Sequence, residues 1–134
     1  MNRNNQNAGH EQQQIQVLIV DPFPIFHRIL HKLIRNRYPH VIITATGEID
    51  QAYKIIKTES PGLVFLDVAM LPQNCMAPIQ FIKKRLPAAV ITVWTTHDSN
   101  EHKKAARRCG ADYFFSKNDS SCLDLINIVN KVFT

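Results

Sequence analysis

The chain has 134 residues, 45% hydrophobic and 20% charged, enough for one domain with a buried core and too short for two of ordinary size. Four glycines and seven prolines exclude collagen-like order, and the charge content excludes a disordered polyelectrolyte. The longest apolar runs, Val17 to Val20 and Leu63 to Leu66, fall far short of the roughly 20 residues a bilayer span requires. With no segment patterned as a secretory signal, a soluble cytoplasmic protein is expected.

Residues 1–14 are dominated by Asn and Gln with no large apolar side chain after Met1, so they are expected to form a disordered arm ahead of a domain over 15–134. The net charge of +5 belongs to that domain, because Arg3 and Glu11 cancel in the arm. A modest basic excess suits an acidic partner, yet describes an ordinary solvated surface equally well. The three cysteines, Cys75, Cys109 and Cys122, have no metal-knuckle spacing and read as ordinary buried thiols.

From Ile15 onward, short β-branched runs alternate with stretches of helical period, the pattern of a mostly parallel sheet covered on both faces. The predicted strands are QVLIV (16–20), HVIITA (40–45), LVFL (63–66), VITVW (90–94) and DYFF (112–115). Runs this continuously apolar suit burial on both faces. The first helix has Phe26, Ile29, Leu30, Leu33 and Ile34 on one side, and His27, Arg28, His31, Lys32 and Arg35 on the other. The second buries Ile49, Ala52, Tyr53 and Ile56. The third follows Pro78 with Ile79, Ile82 and Leu86. The fourth is capped by Asp98 or Ser99, buries Ala105, Ala106 and Cys109, and stops at Gly110; the fifth buries Leu125, Ile128, Val129 and Val132.

Ligands of open parallel sheets bind beyond the carboxyl ends of the strands. The residues there are Asp21 after the first strand, Asp67 after the third, Thr95 after the fourth and Lys117 after the fifth. Each has an ordinary explanation as a turn, cap or solvated residue. Four on one rim make a site. A carboxylate such as Asp67 can attack phosphorus to form an acyl phosphate; Mg²⁺, Lys117 and Thr95 could then stabilise the phosphoryl oxygens, with Asp21 and Asp67 as the carboxylates that Mg²⁺ prefers.

The strings VLIVDPFP, LVFLD, VWTTHD and GADYFFSK, in this order, resemble the response-regulator receiver domain of two-component signalling over roughly residues 15–133. The resemblance implies a flavodoxin-like, doubly wound (βα)5 parallel sheet of strand order 2-1-3-4-5. It implies Asp67 as phosphoacceptor, Thr95 as the hydroxyl that follows the phosphoryl group, Lys117 as its cationic partner and Phe114 as the aromatic switch. Asp21, Asp67 and the backbone carbonyl of Ala69 would hold Mg²⁺. The phosphoryl donor would be a histidine kinase or phosphotransfer protein. Output would pass through the face of the fourth helix, fifth strand and fifth helix to a second copy or a downstream effector, past Lys103, Lys104, Arg107 and Arg108.

The sequence departs from the family pattern in places. Pro22 stands where the family has a second acid, and it brings no ligand, so weak Mg²⁺ binding is expected. The stretch VAMLP after Asp67 is one residue longer than usual; Ala77-Pro78 replaces a glycine, and Asn118 a frequent proline. These departures leave a second possibility, a phosphorylation-independent pseudo-receiver that acts as a protein-interaction module. The pairs His27/His31 and His97/His102 lack a third metal ligand. The KKxxRR run from Lys103 to Arg108 lacks interleaved aromatics, so a solvated helix face is favoured over direct nucleic-acid contact.

Overall fold

The computed structural model describes residues 15–71 and 76–133; the Asn/Gln arm, Cys75 and Pro72 lie outside them. In chain order the elements are β1 (Gln16–Val20), α1 (Pro24–Arg37), β2 (Ile42–Thr46), α2 (Ile49–Thr58) and β3 (Leu63–Leu66). A 3-10 turn (Val68–Met70), α3 (Ala77–Arg85), β4 (Val90–Thr95), α4 (Asn100–Arg108), β5 (Tyr113–Ser116) and α5 (Cys122–Phe133) follow. All four strand pairings are parallel, in the order β2-β1-β3-β4-β5, as the family resemblance implies.

Alternation along the strands divides the core into two layers. Leu18, Val20, Val64, Leu66, Ile91, Val93 and Phe114 face α2, α3 and α4, meeting Ala52, Ile56, Ile79, Ile82 and Ala106. Val17, Ile19, Leu63, Phe65 and Trp94 face the opposite way, onto Leu30 and Ile34 of α1 and Leu125, Ile128 and Val129 of α5. Burying each large aliphatic side chain is worth about 1.5–3 kcal/mol, which is what holds the helices to the sheet. Only the inner strands fit the expectation of burial on both faces. β2 and β5 close the sheet at its edges, so β2 is largely uncovered, with Ile42 exposed.

Small shifts in boundaries have local causes. β2 starts at Ile42 and β5 at Tyr113, each slightly later than the apolar runs suggest, because the register of the inner strands decides where an edge strand pairs. Ser99, not Asp98, caps α4 by accepting the backbone N–H of His102. The helix ends before Gly110, whose φ of 117° suits a residue without a side chain. Only Ala106 of its three expected core residues is fully buried; Ala105 and Cys109 are half-buried at the margin, and Cys122, at the start of α5, is exposed and not a buried thiol. On α1, Ile29 lies at the edge of the apolar stripe and is exposed.

Among the described residues, one buried side-chain polar atom has no hydrogen-bond partner: the Thr92 hydroxyl, in the middle of β4. Burying a hydroxyl without a partner costs about 1–3 kcal/mol. Thr92→Val keeps the shape and removes that cost, so it should raise the urea-unfolding free energy by about 1 kcal/mol; a loss of stability would show that the hydroxyl has a partner in solution.

Candidate functional site

The order of strands reverses between β1 and β3, the switch point where open α/β sheets form their crevice. Asp21 and Asp67 end those two strands. Their backbones are fixed by the sheet ladder itself, which runs one residue past each strand. The Asp21 N–H donates to the Thr46 carbonyl at 3.0 Å, Asp67 N–H to Val20 at 2.9 Å and Lys117 N–H to Thr95 at 2.8 Å. Residues remote in sequence therefore share one rigid rim.

At that rim the Lys117 ammonium lies between the two carboxylates, 2.7 Å from Asp21 Oδ2 and 2.6 Å from Asp67 Oδ2. The other oxygens are also engaged. Asp67 Oδ1 accepts the Thr95 hydroxyl at 2.5 Å and the Ala69 N–H at 2.9 Å, while Asp21 Oδ1 accepts the Phe23 N–H at 2.9 Å. The Thr95 hydroxyl in turn accepts the His97 N–H at 3.1 Å. The ordinary turn and cap roles and the shared site thus coexist in the same atoms. Lys117 is not solvated: its side chain is 2% exposed, against 3% for Asp21 and 1% for Asp67.

Sequence patterning left out the aromatic wall over this cluster. The Lys117 Nζ lies 3.6 Å from the centroid of the Phe26 ring, with Trp94 at 5.4 Å and Phe23 at 5.5 Å. Phe26 packs edge-on against Trp94, centroids 5.2 Å apart, and Trp94 Nε1 donates to the Ser120 hydroxyl. Phe26 was counted as core on helical period alone; its spacing of five residues after Asp21 was the available signal. His27, assigned to the polar face of α1, is half-buried and donates to the Asp21 carbonyl at 2.6 Å.

Phe114 lies in the core with Ala106 and Ala111, paired with Val93 two residues before Thr95. Asp98 links the loops after β4 and β5, accepting the Ser116 hydroxyl at 2.7 Å and the Asn118 amide at 3.4 Å; these bonds hold its pKa below the usual value. Lys103, Lys104, Arg107 and Arg108 lie exposed along α4. His97 and His102 approach each other, but no group of three metal-ligating side chains forms among the described residues.

Asp21 and Asp67 supply the one or two carboxylates with which Mg²⁺ is commonly held, so their chemistry fits that ion, and the Ala69 turn lies beside Asp67. Pro22 adds no oxygen. Both carboxylates are already bonded to Lys117, so a cation held by them would compete with that ammonium. Burial raises the Asp21 pKa above its ordinary 3.8, outweighing the hydrogen bonds from Lys117 and the Phe23 N–H, and the nearby Asp67 charge adds to the rise.

The sheet order and the rim define a receiver-type α/β module. The family model for the response regulator receiver domain matches residues 17–129, and the chain belongs to that family. It is 28% identical over 123 residues to stress response regulator protein 1 of Lodderomyces elongisporus, covering 90% of this chain and 34% of that one. It is 27% identical over 119 residues to protein-glutamate methylesterase/protein-glutamine glutaminase 2 of Vibrio vulnificus, covering 85% and 34%. The chain thus spans about a third of the length of these curated relatives. The solved CheY-like receiver domain protein of Methanospirillum hungatei has the same fold, with a TM-score of 0.78 at 16% identity over 89% of this chain and 93% of that one. No helix among the described residues is long and apolar enough to cross a membrane.

A raised carboxyl pKa means the folded state holds the Asp21 proton more tightly than the unfolded state does. Ionised Asp21 therefore costs stability at neutral pH, and the cost fades as pH falls toward the unfolded value near 3.8. In metal-free buffer, Asp21→Asn should melt above the unmodified protein at pH 7, with the difference shrinking toward pH 4. A difference independent of pH would assign the effect to something other than this carboxyl group.

Proposed function

We propose that this receiver domain accepts a phosphoryl group on Asp67 from a histidine kinase or phosphotransfer protein. The observation that carries the reading is the placement of one carboxylate between a hydroxyl and an ammonium, Thr95 on Oδ1 and Lys117 on Oδ2. An Asp67 oxygen forms the new bond to phosphorus while the donor nitrogen leaves with the electron pair of the broken bond. Lys117 compensates the charge on the phosphoryl oxygens, and the Thr95 hydroxyl turns from the carboxylate to the new group. Mg²⁺ held by Asp21, Asp67 and the Ala69 carbonyl would supply further charge neutralisation when bound.

The change at Thr95 passes to Phe114 and to the face of α4, β5 and α5, where the basic residues of α4 suit an effector or a second copy. The module is a phosphoacceptor whose own chemistry is limited to gaining and losing the phosphoryl group, and we place it in the cytoplasm. A second reading, the phosphorylation-independent interaction module, is favoured by one observation: Asp67 is 1% exposed and tied to Lys117. We assign the receiver to residues 15–134, with 1–14 as an arm outside it.

Incubation with acetyl phosphate and Mg²⁺ should add one phosphoryl mass to the intact protein, and Asp67→Asn should abolish it. Labelling retained in the variant would move the site to another carboxylate, with Asp21 first. An unlabelled wild-type protein would instead select the interaction module.

Pro22→Asp should tighten Mg²⁺. A unit charge pair at 4 Å is worth roughly 4 kcal/mol at an effective dielectric of 20 before desolvation, and repulsion between the acids in the metal-free state acts in the same direction. Even if a third of that survives, about 1.4 kcal/mol, the Kd should fall about tenfold by calorimetry. Equal affinity in the two proteins would mean that another group makes up for the missing acid.

A further inference from the structure

Lys117 presents three N–H groups, and two of them are taken by Asp21 and Asp67. The third direction is closed by the Phe26 ring, whose centroid lies 3.6 Å from the nitrogen, well inside the range of attraction between a cation and the negative face of an aromatic ring. This ring is not free to turn away. Trp94 meets it at an interplanar angle of 83° and Phe23 at 74°, and Trp94 is itself tied to Ser120, which bonds the Ser116 carbonyl. The turn that aims Phe26 is built from Asp21-Pro22-Phe23-Pro24: Asp21 Oδ1 accepts the Phe23 N–H, and the Phe23 carbonyl accepts the Phe26 N–H at 3.0 Å.

We infer that Phe26 is a positioning residue that clamps Lys117 onto Asp21 and Asp67 as the site's resident counter-ion, and so sets how readily a divalent cation gains the two carboxylates. The inference rests on the proposed metal site, since it concerns the same two carboxylates. A metal held by these carboxylates would compete with an ammonium that two charged hydrogen bonds and the Phe26 ring keep in place. Desolvation strengthens all three contacts, because the lysine side chain is only 2% exposed. Pro22 and Phe26 then act in one direction. The first withholds an oxygen from the metal, and the second holds its competitor.

The test is Mg²⁺ affinity by calorimetry, which involves no phosphoryl transfer and so stands or falls apart from labelling of Asp67. A ring–ammonium contact of this burial is worth enough to change the Kd by roughly twofold to thirtyfold. Phe26→Leu, which keeps an apolar side chain but removes the ring, should tighten Mg²⁺ within that range, and Phe26→Tyr should leave it near the wild-type value. A ring-fluorinated phenylalanine at position 26 keeps the packing while weakening the negative face, and should tighten Mg²⁺ in step with the number of fluorines. In a Lys117→Met background the leucine substitution should have no effect. An unchanged Kd across the fluorinated series, tightening by Phe26→Leu that persists without Lys117, or no Mg²⁺ binding by any of these proteins would overturn the inference.

Discussion

Everything at the rim of the sheet depends on a single ammonium placed between two carboxylates with almost no water. Taking one cation and two acids out of solvent costs several kcal/mol per ion even after relaxation, and the same burial raises the Asp21 pKa. The arrangement persists because nothing in it is left unpaired. All four carboxylate oxygens have donors, and the backbones of Asp21, Asp67 and Lys117 are locked by the sheet ladder. A well-packed apolar cluster would hold the same space at lower cost. A buried, charged, fully satisfied cluster at a topological switch point is therefore better explained by chemistry than by stability.

The turn after β1 links two features that look separate along the chain. Pro22 removes the position where the family has a second acid, and the same Asp-Pro-Phe-Pro segment delivers Phe23 and Phe26 to the roof over Lys117. Pro22 before α1 and Pro24 at its first position limit the backbone freedom of this segment, so the ring positions are determined largely by local sequence. Phe23 remains half exposed at 50%. It forms the outer lip of the wall, with Phe26 and Trp94 behind it.

Most of the architecture was legible because its signals are local. Apolar runs bounded by turn residues gave the strands, helical period gave the faces, and the last residue of each strand gave the rim. The reading fell short wherever an outcome depends on a neighbour distant in sequence. Ile42 looks like a core residue until β2 is known to be the edge. Phe26 falls on the apolar stripe of α1, and period alone cannot distinguish a ring against the core from a ring against an ammonium. Lys117, beside Asn118 and Asp119, has the local composition of a solvated turn; only the convergence of β1, β3 and β5 buries it. Asp98 and Ser99 are equivalent caps on sequence, and Ser116 at the end of β5 separates them by engaging Asp98.

The loop after β4 connects this cluster to the surface within a few residues. Thr95 bonds Asp67 and accepts the His97 N–H; Asp98 holds Ser116 and Asn118, the two residues that flank Lys117; Ser99 caps α4. The Thr95 hydroxyl thus joins Asp67 to a backbone N–H two residues away, next to the Asp98 bridge and the helix cap. Each of these bonds is worth only about 0.5–1.5 kcal/mol net, small enough to exchange under a new charge at Asp67 and large enough, together, to bias a two-state loop. The buried cluster is stiff and the exposed bridge is weak. On the proposed reading, that contrast would let a change at Asp67 move out along the loop toward the basic face of α4, beside the route through Phe114 in β5.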